Sequence, residues 1–145
     1  MQDKQVQGIA RMIAVPLLFA QDGPMDDPET WARVAARRGH ECEYFHDAGA
    51  GPGEWVSCEA GTGCVRVNTF FPPCVQARVS VHEIAHAEMS ALASGLWRGD
   101  APGFLRGCFT ICPPAARMGY DDDPDDARHR IARRVEQICF RRNER

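Results

Sequence analysis

A segment without Gly or Pro, running from Cys74 to Ser94, is the feature that most constrains this fold. Its apolar and aromatic positions recur three or four residues apart, which predicts one long helix with a continuous buried face. Gly95 follows directly and predicts the end of that helix, because glycine readily adopts the left-handed conformation of a helix terminus. The residues at helical spacing are Val75, Val79, His82, His86, Met89 and Ala93.

The remaining sequence predicts an α+β domain with the element order α-α-β-β-β-α-α. An amphipathic first helix precedes a second one, which Asp27 caps and Gly39 ends. Three extended segments follow, and Gly-rich separators between them predict hairpin or meander turns. These segments are Glu41 to His46, Glu54 to Cys58 and Cys64 to Asn68. A last helix is predicted to begin at Asp123, with Pro124 in its first turn.

The length of 145 residues fits one domain. We expect 1–26 to form an N-terminal helix and turn, and 27–94 to form the core with the long helix. We expect 95–122 to be an irregular insertion and 123–145 to be the C-terminal helix. The formal net charge of −3 argues against direct nucleic-acid binding, since such proteins normally carry a basic excess.

The long helix contains the motif His82-Glu83-Ile84-Ala85-His86. Two histidines at positions i and i+4 lie one turn apart on the same face, so both imidazoles can reach one Zn²⁺. Glu83 is placed to accept a proton from the attacking water and to pass it to the leaving amine. The alternative is a helix whose histidines are surface or core polar groups. The motif and its helical context favour the metal site and predict a zinc metallopeptidase.

The third metal ligand must lie elsewhere in the chain. The extended motif with a His six residues after His86 is absent, because Leu92 occupies that position. The acidic cluster before the last helix is the natural source, although helix capping also explains part of it. The cluster consists of Asp121, Asp122, Asp123, Asp125 and Asp126. The more distant alternatives are Glu88, Asp100, His129 and Glu136.

Two further stretches make the chain resemble the ImmA/IrrE metallopeptidases. Val65-Arg-Val-Asn68 is similar to the strand ending in Asn in that family, and Arg78 to Ala87 is similar to its motif-bearing helix. The resemblance covers about residues 28–94 well and 123–136 loosely. It implies a small zincin-like α+β domain, in which a short antiparallel or mixed sheet of about three strands packs against the motif helix and a C-terminal helix.

The resemblance also implies site residues. His82 and His86 carry over as zinc ligands and Glu83 as the catalytic residue. Matching Ile131-Ala132 to an aromatic-Ala pair of the family places Asp125 at the third ligand position, where the family has Glu. Asp126 and Asp122 remain alternatives to Asp125.

The implied function is hydrolysis of a peptide bond in a protein substrate, such as a helix-turn-helix repressor in a stress or mobile-element response. Phe70 and Phe71, just before the site helix, are expected to line the substrate cleft or to belong to the core. An alternative function is a metal-binding regulatory or interaction module that has a zincin site without independent proteolysis.

The apolar run from Met12 to Ala20 is about half the length of a membrane-spanning helix, so no membrane partner is expected. An alternative interpretation of this apolar run is a secretory signal, but Pro16 within it and Asp3 before it argue against that. We therefore expect a cytoplasmic protein, with secretion as the alternative. The seven cysteines leave open whether any form disulfides or a second metal site.

Overall fold

The computed structural model describes residues 2–57, 63–95, 97, 99 and 127–141. In these ranges the chain forms four helices and a three-stranded mixed sheet, which confirms the predicted α+β class and element order. The helices are α1 (Asp3–Ala20), α2 (Pro28–Arg37), α3 (Pro73–Ser94) and α4 (Ala127–Phe140). The strands are β1 (Glu41–Phe45), β2 (Gly53–Ser57) and β3 (Gly63–Asn68).

The structure confirms the predicted amphipathic first helix, which is α1. Its apolar side is buried in the core, where Ile13 and Leu17 have no exposed surface, and it packs mainly on α4. The next helix, α2, begins as its sequence predicts, since the Asp27 carboxylate accepts a hydrogen bond of 2.9 Å from the Glu29 amide. Trp31 of α2 is fully buried and packs its ring 5.7 Å from that of Phe140 in α4.

The strand β3 lies at the centre of the sheet, in the order β1-β3-β2. It pairs in parallel with β1, Glu41 opposite Cys64, and antiparallel with β2, Trp55 opposite Val65. A simple meander is therefore wrong, because β1 and β2 are consecutive in the chain but are not neighbours. The central position goes to β3, whose residues are nearly all buried, while β1 is largely exposed and occupies an edge.

Asn68, at the end of β3, joins two loops through its buried side chain. Its Oδ1 accepts hydrogen bonds of 3.1 Å from the amides of Asp47 and Phe70. Its Nδ2 donates to the carbonyls of Asp47 at 2.7 Å and of Gly51 at 3.1 Å. The side chain thus supplies the partners that the irregular backbone before β2 and before α3 would otherwise lack.

The helix α3 packs against the strands β2 and β3 of the sheet and against the helices α2 and α4. Its end is the one predicted, because Gly95 adopts a φ of 75° and its amide bonds back to the last turn. Glu88 of this helix is fully buried, and Arg38 after α2 donates two hydrogen bonds to its carboxylate, at 2.5 and 3.2 Å. This ion pair fixes α2 against the middle of α3.

Among the described helices, none combines the length and apolar character that crossing a membrane requires. The cysteines that the structure describes as free thiols are Cys42, Cys64, Cys74 and Cys139. Burial raises the pKa of the Cys139 thiol to about 12, so this side chain is a small apolar group of the core.

Candidate metal centre

Two histidines of the predicted motif face the same direction from the middle of α3. His82 and His86 lie one helical turn apart, and the centroids of their rings are 5.1 Å apart. Only 1% of His86 is exposed, and the side chain of His82 is 13% exposed. The helix thus presents a pair of imidazoles at the edge of the core, as the sequence predicts.

His129 of α4 completes a group of three imidazoles. Its ring centroid lies 4.9 Å from that of His82 and 6.3 Å from that of His86. One possible ligand atom from each residue lies within 4.8 Å of the other two. This cluster could hold a metal ion.

The donor set fits a divalent ion that prefers nitrogen ligands. Around a tetrahedral Zn²⁺ with Zn–N distances of about 2.0–2.1 Å, ligand nitrogens are roughly 3.3 Å apart. The three imidazoles would therefore need to close by roughly 1.5 Å at most, which side-chain rotation can supply. Among the described residues the cluster offers three ligands, one fewer than a tetrahedral Zn²⁺ takes.

The surroundings of His86 favour its neutral form. Burial lowers the pKa of His86 well below its ordinary value, and electrostatic interactions with His82, His129 and Arg128 lower it further. A neutral imidazole keeps the lone pair that a metal requires. A bound dication would also keep these rings deprotonated.

Glu83 is directly adjacent to His82 and is 4% exposed. Strand β2 begins close to it: a methyl group on Gly53 would lie 3.6 Å from Glu83 Cγ and would collide with the side chain of Val79. The absence of a side chain at Gly53 therefore lets the sheet approach the helix at the position of the predicted catalytic carboxylate.

The residues that the sequence offers as the third metal ligand differ in where they lie. Asp125, Asp126 and Asp122 lie outside the described residues, and their roles stay predictions. Glu88 contacts Arg38 and lies 3.7 Å from His40, rather than belonging to the histidine cluster. Asp100 is also outside the described residues. Two of the more distant alternatives lie on α4 and meet the motif: His129 joins the histidine cluster, and Glu136 Oε2 lies 3.4 Å from His82 Nδ1.

A signal for His129 was present in the sequence. It lies on a helix whose apolar positions, including Ile131 and Val135, predict packing on the core. The chain has five histidines, and His129 is the one on the last predicted helix. Pairing that helix with the motif helix would have singled it out, but helix pairing depends on tertiary structure.

Phe70 and Phe71 lie before the start of α3, with ring centroids 5.4 Å apart. Phe70 is 49% exposed, so the core interpretation is wrong for it. From the start of α3, His82 lies about 14 Å along the helix axis. A cleft role for this pair stays a prediction, and it would concern substrate residues some distance from the metal cluster.

Comparison of the chain with protein-family models, with curated proteins and with solved structures finds no match. The function is therefore argued from the site itself.

Proposed function

We propose that this chain is a zinc-dependent metallopeptidase that hydrolyses a peptide bond in a protein substrate. The observation that carries the proposal is a cluster of three imidazoles that could hold a metal ion, on a helix where the buried Glu83 directly follows His82 in the chain. The resemblance of residues 28–94 to the ImmA/IrrE metallopeptidases supports the same reaction.

The residues that would hold the zinc are His82, His86 and His129. When bound, zinc supplies Lewis-acid chemistry, polarising the scissile carbonyl and lowering the pKa of water. The two ligands on α3 are one turn apart on a rigid helix, and the third comes from α4, so the packing of two helices sets the geometry of the site.

Glu83 would act as general base and then as general acid. Its carboxylate accepts the proton that the attacking water loses, and it later delivers that proton to the leaving amine. Because Glu83 is nearly buried, few bulk water molecules compete for this carboxylate. Its position on α3, next to His82, keeps it near the reacting centre without making it a ligand.

The substrate class follows from the resemblance. We propose a protein substrate, with a helix-turn-helix repressor as the first to test, and a cytoplasmic location in a stress or mobile-element response. The alternative is a zincin-like module that binds a partner protein and metal but does not cleave.

The variant Glu83→Gln tests the mechanism. It removes the base but keeps the size of the side chain, so we expect zinc content to stay at the wild-type level. Cleavage of a peptide library, followed by mass spectrometry, should fall by about 100-fold or more. Glu29→Gln, at an exposed site on α2, is the matched control and should cleave normally.

Two outcomes would contradict the proposal. Cleavage retained in Glu83→Gln would show that this carboxylate is not the base. Wild-type protein that binds zinc but cleaves neither the library nor a repressor would favour the metal-binding module.

A further inference from the structure

Glu136 of α4 bridges two residues of α3 with its two carboxylate oxygens. Oε1 accepts a hydrogen bond of 3.2 Å from Arg78 Nε, and Oε2 lies 3.4 Å from His82 Nδ1. Arg78 and His82 are one turn apart on α3 and therefore share a face. The carboxylate is thus held between a permanent cation and a residue of the metal cluster.

The contacts along this face show that α3 and α4 are antiparallel here. His129 lies against His82 and His86, Glu136 lies against His82 and Arg78, and the Arg78 guanidinium lies 5.1 Å from the centre of the Phe140 ring. His129 and Glu136 are seven residues apart, two helical turns, so they also share a face. The same helix face thus carries the third imidazole and the carboxylate.

The chemistry of imidazole gives this carboxylate a role. A negative oxygen beside Nδ1 favours the tautomer that has its proton on Nδ1, since that N–H can donate to the oxygen. The other ring nitrogen, Nε2, then keeps the lone pair available for a metal. Arg78 fixes the other oxygen, so the carboxylate is less free to rotate away.

We propose that Glu136 is a positioning residue that holds His82 for metal binding through Nε2, with Arg78 anchoring the Glu136 carboxylate. This inference rests on the proposed zinc site. It does not make Glu136 a ligand: among the described residues, the ligand atoms that converge belong to the three histidines, and the Glu136 side chain is 25% exposed beside Nδ1 of His82.

The test measures zinc affinity by competition with a chromophoric chelator, which does not depend on cleavage. Glu136→Ala and Glu136→Gln should each bind zinc about 10–100-fold more weakly than wild type, the usual effect of removing the partner of a ligating histidine. Gln137→Ala, an exposed neighbour on α4, is the matched control and should bind as tightly as wild type. Circular dichroism checks the fold, and if only one Glu136 variant folds, that variant decides.

A second measurement distinguishes positioning from a purely structural role. Nitrogen-15 NMR of the imidazoles in zinc-loaded wild type should show His82 protonated at Nδ1 and bound through Nε2. Binding through Nδ1, or a loss of affinity below about tenfold in the Glu136 variants, would overturn the inference while leaving the zinc site intact. X-ray absorption showing one protein ligand fewer in Glu136→Ala would also overturn it, by making Glu136 a ligand. Failure of wild type to bind zinc would instead refute the proposed function itself.

Discussion

Replacing Asn68 with Ala should destabilise the protein severely, although Asn68 is not in the candidate site. The side chain is fully buried and makes four hydrogen bonds of 3.1 Å or shorter to the backbone of Asp47, Gly51 and Phe70. Each bond has a net value of about 1 kcal/mol, so the variant should lose roughly 4 kcal/mol of unfolding free energy. That is a large part of the total stability of about 5–15 kcal/mol of an ordinary domain.

Urea unfolding followed by circular dichroism measures this loss, with the same zinc concentration for every variant. Asn68→Asp should lose at least as much, because it replaces the donating amide with a carboxylate that faces the carbonyls of Asp47 and Gly51. Thr69→Ala is the matched control: the Thr69 hydroxyl donates to the Phe45 carbonyl and contacts His46 Nδ1, both at 3.1 Å, but the site is exposed and water can replace both contacts, so the loss should stay below about 1 kcal/mol. A loss of less than about 1 kcal/mol in Asn68→Ala would refute the reasoning.

Two further variants test the packing around the motif helix. Glu88→Gln leaves the mostly buried Arg38 without its carboxylate and should cost about 3 kcal/mol at pH 7 in urea unfolding; equal stability of variant and wild type would contradict this. Burial raises the pKa of Glu88, but its interactions with His40 and Arg38 outweigh that effect and keep the pKa below the ordinary 4.5, so the difference should shrink as the pH falls below 4.5. Gly53→Ala should lower stability by about 1–3 kcal/mol and slow cleavage with zinc content unchanged, since its methyl group would collide with Val79 near Glu83. Gly51→Ala, whose methyl group would meet nothing within 4 Å, should behave like wild type in both assays.

The long helix and its histidine pair could be predicted from the sequence because both are local properties. Helical periodicity without Gly or Pro is encoded over consecutive residues, and i,i+4 spacing places His82 and His86 on one face. The Gly95 stop has the same local origin. These features required no knowledge of what packs against the helix.

The sheet order and the role of His129 could not be predicted in this way. The strand β1 pairs with β3 rather than with β2, its successor in the chain. Local sequence could not show this, because the burial of β3 on both faces is a property of the folded core. His129 joins the motif only because α4 packs antiparallel to α3. The acidic cluster lies outside the described residues, so its predicted ligand role stays a prediction.

The central claim is that three histidines, two on α3 and one on α4, hold one catalytic zinc ion. Elemental analysis of wild type, His129→Ala and Asp125→Ala, each purified and dialysed in parallel, tests it most directly. We predict one zinc per chain in wild type and in Asp125→Ala, and a loss of most of the zinc in His129→Ala. Zinc retained in His129→Ala, or absent from wild type, would contradict the account.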